Sequence, residues 1–267
     1  MLSKFIFVTM SLDYKNIKIN YTVSGQGDAV LLLHGFLESI DMWADFNSEF
    51  SKNNTLICID LLGHGKTDCL GYVHTMETMA DAVLAVLDYL SIKEVKCIGH
   101  SMGGYVALAL AEKQPQLFTG LCLMNSTYEA DDNERNKLRL RANKMAKTHF
   151  ESLVQMSFTN LFAKASRLKF ENEFNKALKL ALKTPLQGYI AGQEGMRLRP
   201  NRFNVFNTIS GKKLIIIGKK DSVIDGQKLI KAIKHTDITY AELSEGHMSH
   251  IENKSDLTYK LLRFIEK

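Results

Sequence analysis

The sequence predicts an α/β fold: a mostly parallel, doubly wound sheet with an all-helical segment inserted late in the chain. Three observations predict it. Short, continuous apolar runs recur at 29–33 (AVLLL), 55–59 (TLICI), 95–98 (VKCI), 120–124 (GLCLM) and 213–217 (KLIII). Runs without alternation suit strands covered on both faces, as in a parallel sheet. Stretches with helical spacing separate them, and strand–helix alternation is the pattern of a doubly wound sheet. From 126 to 207 the strand-like runs vanish, and the chain reads as amphipathic helices rich in Lys, Asn, Phe and Leu. The expected organisation is therefore a core of 1–125 and 208–267 with a helical cap, or lid, at 126–207.

Taken in order, residues 16–23 (NIKINYTV) alternate with period two, and the turn Ser24-Gly25-Gln26-Gly27-Asp28 leads into 29–33, an opening that reads as a β-meander. A helix is expected over 41–51, then the strand 55–59 and the turn Asp60-Leu61-Leu62-Gly63-His64-Gly65. Met79, Val83, Val86, Leu87 and Leu90 recur at helical spacing within 76–90. The strand 95–98 runs into a glycine-rich turn, a helix to about Lys113 and the strand 120–124. Pro185 and Gly188 punctuate the inserted segment. After 213–217, a helix at about 225–235, a strand at 238–243 and a helix at 254–266 close the chain. No internal repeat or low-complexity tract interrupts it.

The bulk numbers exclude several classes. With 267 residues, 45% hydrophobic and 24% charged, the composition is that of an ordinary globular protein. The net charge of +5 is mild. Its densest cluster, Arg135, Lys137, Arg139, Arg141, Lys144 and Lys147, has the spacing of a solvated helix face, so no nucleic-acid partner is expected. Cys58, Cys97 and Cys122 sit in apolar runs, no C-x-x-C pair occurs, and Cys69 stands alone, so a reducing cytoplasm is the simplest setting. MLSKFIFVTM is too short for a signal peptide, Met10 is a second candidate start, and no membrane-spanning run follows.

Against that background one pentapeptide stands out: Gly99-His100-Ser101-Met102-Gly103. A G-x-S-x-G match arises by chance in about a tenth of chains of this length. Here its context is a strand before and an Ala-rich helical stretch after. A serine on such a turn projects its hydroxyl clear of the sheet, and the flanking glycines admit close backbone approach. It also sits at a helix N-terminus, where developing negative charge is favoured. A serine hydroxyl needs a base. His247 leaves the last apolar strand at the carboxyl edge, where open α/β sheets hold their ligands, and His250 is its rival. Asp221 leaves the 213–217 strand at the same edge and is the candidate orienting acid; Asp225 reads better as the N-cap of the next helix. The backbone N–H groups of Met102 and Phe36 are candidate oxyanion donors. His34, just before Phe36, reads as a loop-shaping residue rather than a base.

With these residues the sequence resembles the α/β-hydrolase superfamily, and within it the capped serine esterase and enol-lactonase-like branch. The matching blocks are His34-Gly35-Phe36, Asp60-Leu61-Leu62-Gly63-His64-Gly65, Gly99-His100-Ser101-Met102-Gly103-Gly104, Gly218-Lys219-Lys220-Asp221 and Gly246-His247, in order along nearly the whole chain. Thr67, where Ser is commoner, and Lys213, where Pro is, are small departures. The resemblance implies a Ser101–His247–Asp221 triad, Phe36 and Met102 amides as the oxyanion hole, no cofactor and no metal. Haloalkane dehalogenases and epoxide hydrolases, which carry an aspartate nucleophile, are set aside by Ser101.

The implied reaction is hydrolysis of a small carboxylic ester or related acyl bond, with a small-molecule substrate as the partner. A carbon–carbon-bond hydrolase, a menaquinone-pathway-type lyase on an anionic substrate, and a non-catalytic ligand-binding relative are the alternatives. Tyr128, Phe158, Phe162, Phe174 and Tyr189 are candidate pocket-lining residues, against ordinary helix packing. Arg197, Arg199 and Arg202 suit either a substrate carboxylate or the pinning of the cap to the core.

Overall fold

The computed structural model describes residues 9–266, so the reading of the extreme N-terminus falls almost wholly outside the described residues. Within them the apolar runs become β3 (Asp28–Leu33), β4 (Asn54–Ile59), β5 (Val95–His100), β6 (Phe118–Met124), β7 (Lys212–Gly218) and β8 (Thr239–Leu243), preceded by β1 (Thr9–Tyr14) and β2 (Ile17–Ser24). Together they form one sheet in the order β1-β2-β4-β3-β5-β6-β7-β8. β2 runs antiparallel to β1 and β4, and β4 through β8 are parallel.

The opening meander is corrected here. β2 and β3 do not pair, because β4 lies between them, with Ile59 opposite Tyr21 on one side and Leu33 on the other. β3 and β4 are buried along their later residues, where no water reaches the backbone, so the N–H and C=O groups on both edges of each are paired with a neighbouring strand. β1 alternates between exposed and half-buried, as an edge strand does, and its weak apolar content hid it from the sequence reading.

The helices are α1 (Asn47–Phe50), α2 (Met76–Tyr89), α3 (Met102–Lys113), α4 (Asn133–Thr159), α5 (Ser166–Lys169), α6 (Glu171–Ala181), α7 (Leu186–Leu198), α8 (Phe203–Thr208), α9 (Gly226–Ala232), α10 (Ser249–Glu252) and α11 (Lys254–Ile265). The helix expected over 41–51 is a 3-10 segment, Ile40–Phe46, running into the single turn of α1. Asp225 caps α9 as expected, accepting from the Lys228 N–H at 3.0 Å.

The two faces of the sheet bury separate clusters. Leu31, Leu33, Ile57, Ile59, Cys97 and Leu121 pack under α2, α3 and α8; Val30, Leu32, Cys58, Ile98 and Cys122 pack under Trp43, Phe46 and α11. Burial pushes the Cys58 and Cys97 thiols up, so these cysteines act as small hydrophobes.

The helices α4 to α8 all fall between β6 and β7. Among them α4, α6 and α7 share an apolar cluster that includes Leu153, Val154, Phe158, Phe162 and Tyr189, and takes in Leu37 and Met248 from the sheet's loops. Gly188 is not a break but part of α7, whose small-residue face lies directly on the core. A Cβ on Gly188 would stand 2.1 Å from the Gly63 carbonyl oxygen, and one on Gly195 would stand 1.7 Å from that of His74. Arg202 is buried where it bridges Glu77 of α2 and Glu112 of α3, which fastens the entry to α8. No described helix is long and apolar enough to cross a membrane.

Candidate active site

Ser101 lies between the end of β5 and the start of α3 with φ 48° and ψ −114°, a backbone conformation L-residues rarely adopt. Such a conformation costs about 1–3 kcal/mol and persists only where its surroundings enforce it. Close packing enforces it here. A Cβ on Gly99 would meet the Gly104 nitrogen at 2.5 Å, and one on Gly103 would meet the Leu33 carbonyl oxygen at 2.4 Å. The Ser101 N–H donates to the Met124 carbonyl at 3.0 Å, and the Ser126 hydroxyl to the Ser101 carbonyl at 2.7 Å.

Three of the sequence candidates meet at this point. His247 Nε2 is 3.0 Å from Ser101 Oγ, and His247 Nδ1 is 2.8 Å from Asp221 Oδ2. With Nδ1 donating to the carboxylate, Nε2 is free to accept the serine proton. Asp221 Oδ1 also accepts from the Val223 and Ile224 N–H groups at 2.7 and 3.0 Å. Burial pushes the Asp221 carboxyl up, but His247 and its hydrogen bonds outweigh this and hold it below the usual carboxylate range. It therefore stays ionised.

His250, the rival base, faces Glu38 instead: its Nε2 is 3.7 Å from Glu38 Oε1, and burial pushes its imidazole down to about 4. His34 shapes its loop as expected, with Nε2 accepting from the Leu61 N–H at 2.9 Å and Nδ1 2.7 Å from the Gly35 carbonyl. The contact of Gly103 with Leu33 sets the first turn of α3 beside the loop after β3. The Met102 and Phe36 amides belong to these two adjoining segments. The first N–H groups of a helix have no intrahelical partner, so the Met102 amide is suited to an incoming oxygen.

Two residues here escaped the sequence reading. Asn125, at φ 45° just past β6, donates through Nδ2 to Asp221 Oδ2 at 3.0 Å and to the Gly246 carbonyl at 3.3 Å. Its Oδ1 accepts from the Ser249 hydroxyl at 2.7 Å, so it ties the acid's strand end to the loop of His247. The only signal was its place: an Asn directly after a buried parallel strand, at the carboxyl edge. Glu38 is the other. Its Oε2 lies 2.7 Å from His100 Nδ1, and the side chains of the pair are 5% and 1% exposed. Glu38, His100 and His250 bring ligand-type atoms within 4.8 Å of one another. Glu38 Oε2 and His100 Nδ1 satisfy each other, while Glu38 Oε1 and His250 Nδ1 are buried without a hydrogen-bond partner.

A cavity of about 250 Å³ opens in front of Ser101 and His247, walled by Phe36, Tyr105, Arg135, Arg139, Tyr189 and Gln193 among others. Of the lining candidates, Tyr189 is in place, with its ring 5.1 Å from that of Phe36. The others are corrected. Tyr128 is buried against Phe203, with ring centroids 5.0 Å apart. Phe158, Phe162 and Phe174 pack on one another within the inserted segment, the first two buried and Phe174 half-buried, away from the Ser101 cavity. Arg199 lies 4.0 Å over the Tyr105 ring and pairs with Asp131 Oδ1 at 2.7 Å, so it pins the insertion rather than facing the cavity. Arg197 pairs with Glu194.

The arginines that do reach the cavity, Arg135 and Arg139, belong to the basic cluster whose spacing predicts a solvated helix face, and α4 turns these two toward the cavity instead. Four residues apart on α4, they share one side of the helix. Arg135 Nη2 donates to the Val223 carbonyl at 2.9 Å; Arg139 pairs with Asp131 and donates to Gln193 Oε1 at 2.6 Å.

A model of the family described as alpha/beta hydrolase fold matches residues 28–254. An uncharacterized protein of Mycobacterium tuberculosis is 33% identical over 106 residues, 40% of this chain and 31% of that protein, so the match spans about a third of the length of this relative. The 3-oxoadipate enol-lactonase 2 of Acinetobacter baylyi is 25% identical over 250 residues, 91% of each chain. Among solved structures, a thermophilic esterase from Thermogutta terrifontis superimposes with a TM-score of 0.88 at 23% identity, covering 96% of this chain and 97% of that one. At that identity the likeness shows the shared fold.

Proposed function

The chain belongs to the α/β-hydrolase fold family, and from that premise we propose that it is a serine hydrolase cleaving a small carboxylic ester or related acyl bond. The observation that carries the reading is the unbroken hydrogen-bonded line from Ser101 Oγ through the His247 ring to Asp221, at 3.0 and 2.8 Å. Ser101 Oγ attacks the carbonyl carbon while His247 Nε2 takes the hydroxyl proton, and the carbonyl oxygen becomes an oxyanion held by the Phe36 and Met102 amides. The carbon–oxygen bond to the leaving group then breaks, and His247 returns the proton to it. Water, deprotonated by the same imidazole, attacks the acyl-enzyme and releases the acid and Ser101. Asp221 keeps Nδ1 protonated and stabilises the imidazolium. The helices of 126–207 act as the cap that shapes the pocket.

Arg135 and Arg139 on the cavity wall favour a second reading, in which the same three residues act on an anionic substrate as a carbon–carbon-bond hydrolase or lyase. One experiment addresses the shared chemistry. A fluorophosphonate probe is expected to label the protein at Ser101, with labelling abolished in Ser101→Ala and slowed by orders of magnitude in His247→Ala. No labelling of the intact protein at Ser101, or equal labelling after His247→Ala, refutes the reading and favours a non-catalytic binding role. Turnover across aryl esters of increasing acyl length then separates the two readings. An enzyme that spares every ester but cleaves a vinylogous diketone belongs to the second.

A further inference from the structure

The acyl-transfer reading requires three loops to hold their positions: the one after β3 bearing Phe36, the turn bearing Ser101, and the one after β8 bearing His247. One buried carboxylate is bonded to the first two and reaches the third through a single imidazole. Glu38 Oε2 accepts from the Gly35 N–H at 2.7 Å and from His100 Nδ1 at 2.7 Å. His100 Nε2 lies 3.1 Å from the His247 carbonyl oxygen. His100 occupies the variable position of the G-x-S-x-G turn, which the mechanism leaves unused.

Both nitrogens of His100 face oxygen acceptors, a carboxylate and a carbonyl. A neutral imidazole has one N–H and can satisfy only one of them; the imidazolium satisfies both. The Gly35 N–H on Oε2 favours the ionised form of Glu38 in turn. Burial opposes charge on either group, yet the pair overcomes it: Glu38 is held down to about 2, and His100 is raised above its ordinary value. The other titratable groups facing the pair include His34, His64, His247, His250 and Asp221, with the His247 ring 5.1 Å from that of His100 and Asp45 behind His250.

We propose that the Glu38–His100 pair is a positioning device for the reaction, a carboxylate and an imidazolium that together hold the oxyanion loop, the nucleophile turn and the His247 loop in register. The pair touches no reacting atom. This inference rests on the serine-hydrolase reading, and its test is chosen so that the two fail separately.

Wild type, Glu38→Gln, His100→Gln and the double variant are compared after counting reactive serines with a p-nitrophenyl phosphonate, which releases one p-nitrophenol per labelled Ser101. The kcat for p-nitrophenyl acetate, expressed per labelled site, is expected to fall roughly ten- to hundredfold in each single variant, the scale of losing a charge-assisted hydrogen bond, with KM within about twofold. If the two residues act as one device, the double variant loses no more than the worse single one. A merely structural pair lowers the number of labelled sites and leaves kcat per site unchanged; that result, or fully multiplicative losses, overturns the proposal.

A measurement on the unaltered protein needs no variant to fold. With ¹⁵N-labelled histidine, the His100 imidazole is expected to keep protons on both nitrogens to a higher pH than an ordinary histidine, and a His100 that loses its second proton at or below the ordinary value refutes the proposal. Wild-type protein that is never labelled at Ser101 overturns the hydrolase reading instead.

Discussion

Replacing Asn125 with alanine removes three hydrogen bonds at once from the underside of the site. The Asn125 amide donates to the Asp221 carboxylate and the Gly246 carbonyl, and its oxygen accepts from the buried Ser249 hydroxyl. A hydrogen bond to a charged group contributes about 1.5–3 kcal/mol and a neutral one about 0.5–1.5 kcal/mol, so the expected loss of stability is about 4 kcal/mol. Against a total stability of roughly 5–15 kcal/mol this is large. Catalysis should suffer less. Asp221 keeps His247 and the Val223 and Ile224 amides, three of its four donors, so kcat per labelled site should fall by roughly tenfold or less. The backbone contributes too, because φ at Asn125 is 45°, which asparagine tolerates better than alanine. Asn125→Gly separates the terms: it relieves the backbone and keeps the lost bonds, so most of the destabilisation should remain. Urea unfolding with an unchanged m-value is the assay. A loss under about 1 kcal/mol in the alanine variant, or full recovery in the glycine variant, refutes the bridging role.

Acid should destabilise the fold well before its carboxylates titrate. Burial pushes His64 down to about 3 and His74 and His250 to about 4, so below their unfolded value of 6.5 the unfolded chain binds protons that the folded chain refuses. The unfolding free energy should therefore drop by roughly 3–4 kcal/mol per pH unit near pH 5. The Glu38–His100 pair works in a different window: Glu38 stabilises above its unfolded value of 4.5 and loses this as pH falls through about 2, while His100 stabilises below 6.5 and loses it as pH rises through its higher folded value. Denaturant melts that are flat between pH 6.5 and 5 contradict the burial of the three neutral imidazoles. At Gly195, alanine should destabilise by roughly 1–3 kcal/mol, although alanine is the better helix former, because its Cβ collides with the His74 carbonyl. A more stable Gly195→Ala protein shows that α7 does not rest on the core backbone.

The legible part of this protein was local. Continuous apolar runs announced the parallel strands, because covered strands need no polar face. The Gly-His-Ser-Met-Gly turn announced itself through the strand before and the helix after. Asp221 and His247 were identifiable because each follows directly on such a run, which puts it at the carboxyl edge whatever the strand order. The misreadings share one cause: they turn on which way a side chain faces, or which strand lies next to which. Arg139 and Arg199 are equally basic residues on helical stretches. Both pair with Asp131, and only the packing of α4 and of the end of α7 puts the first on the cavity wall and stacks the second on the Tyr105 ring. The aromatic residues of 126–207 are alike in sequence, and only Tyr189 faces the pocket.

The sequence by itself therefore determined the fold class, the strand-to-helix turn at Ser101 and the edge of the sheet where chemistry can occur. These follow from period, run length and turn residues, which act over a few neighbouring positions. Only the tertiary structure decided that β4 separates β2 from β3, that Asn125 supports Asp221, and that Glu38 and His100 join three loops. Each is a contact between residues distant along the chain, and such contacts exist only once the sheet order brings them within hydrogen-bond reach.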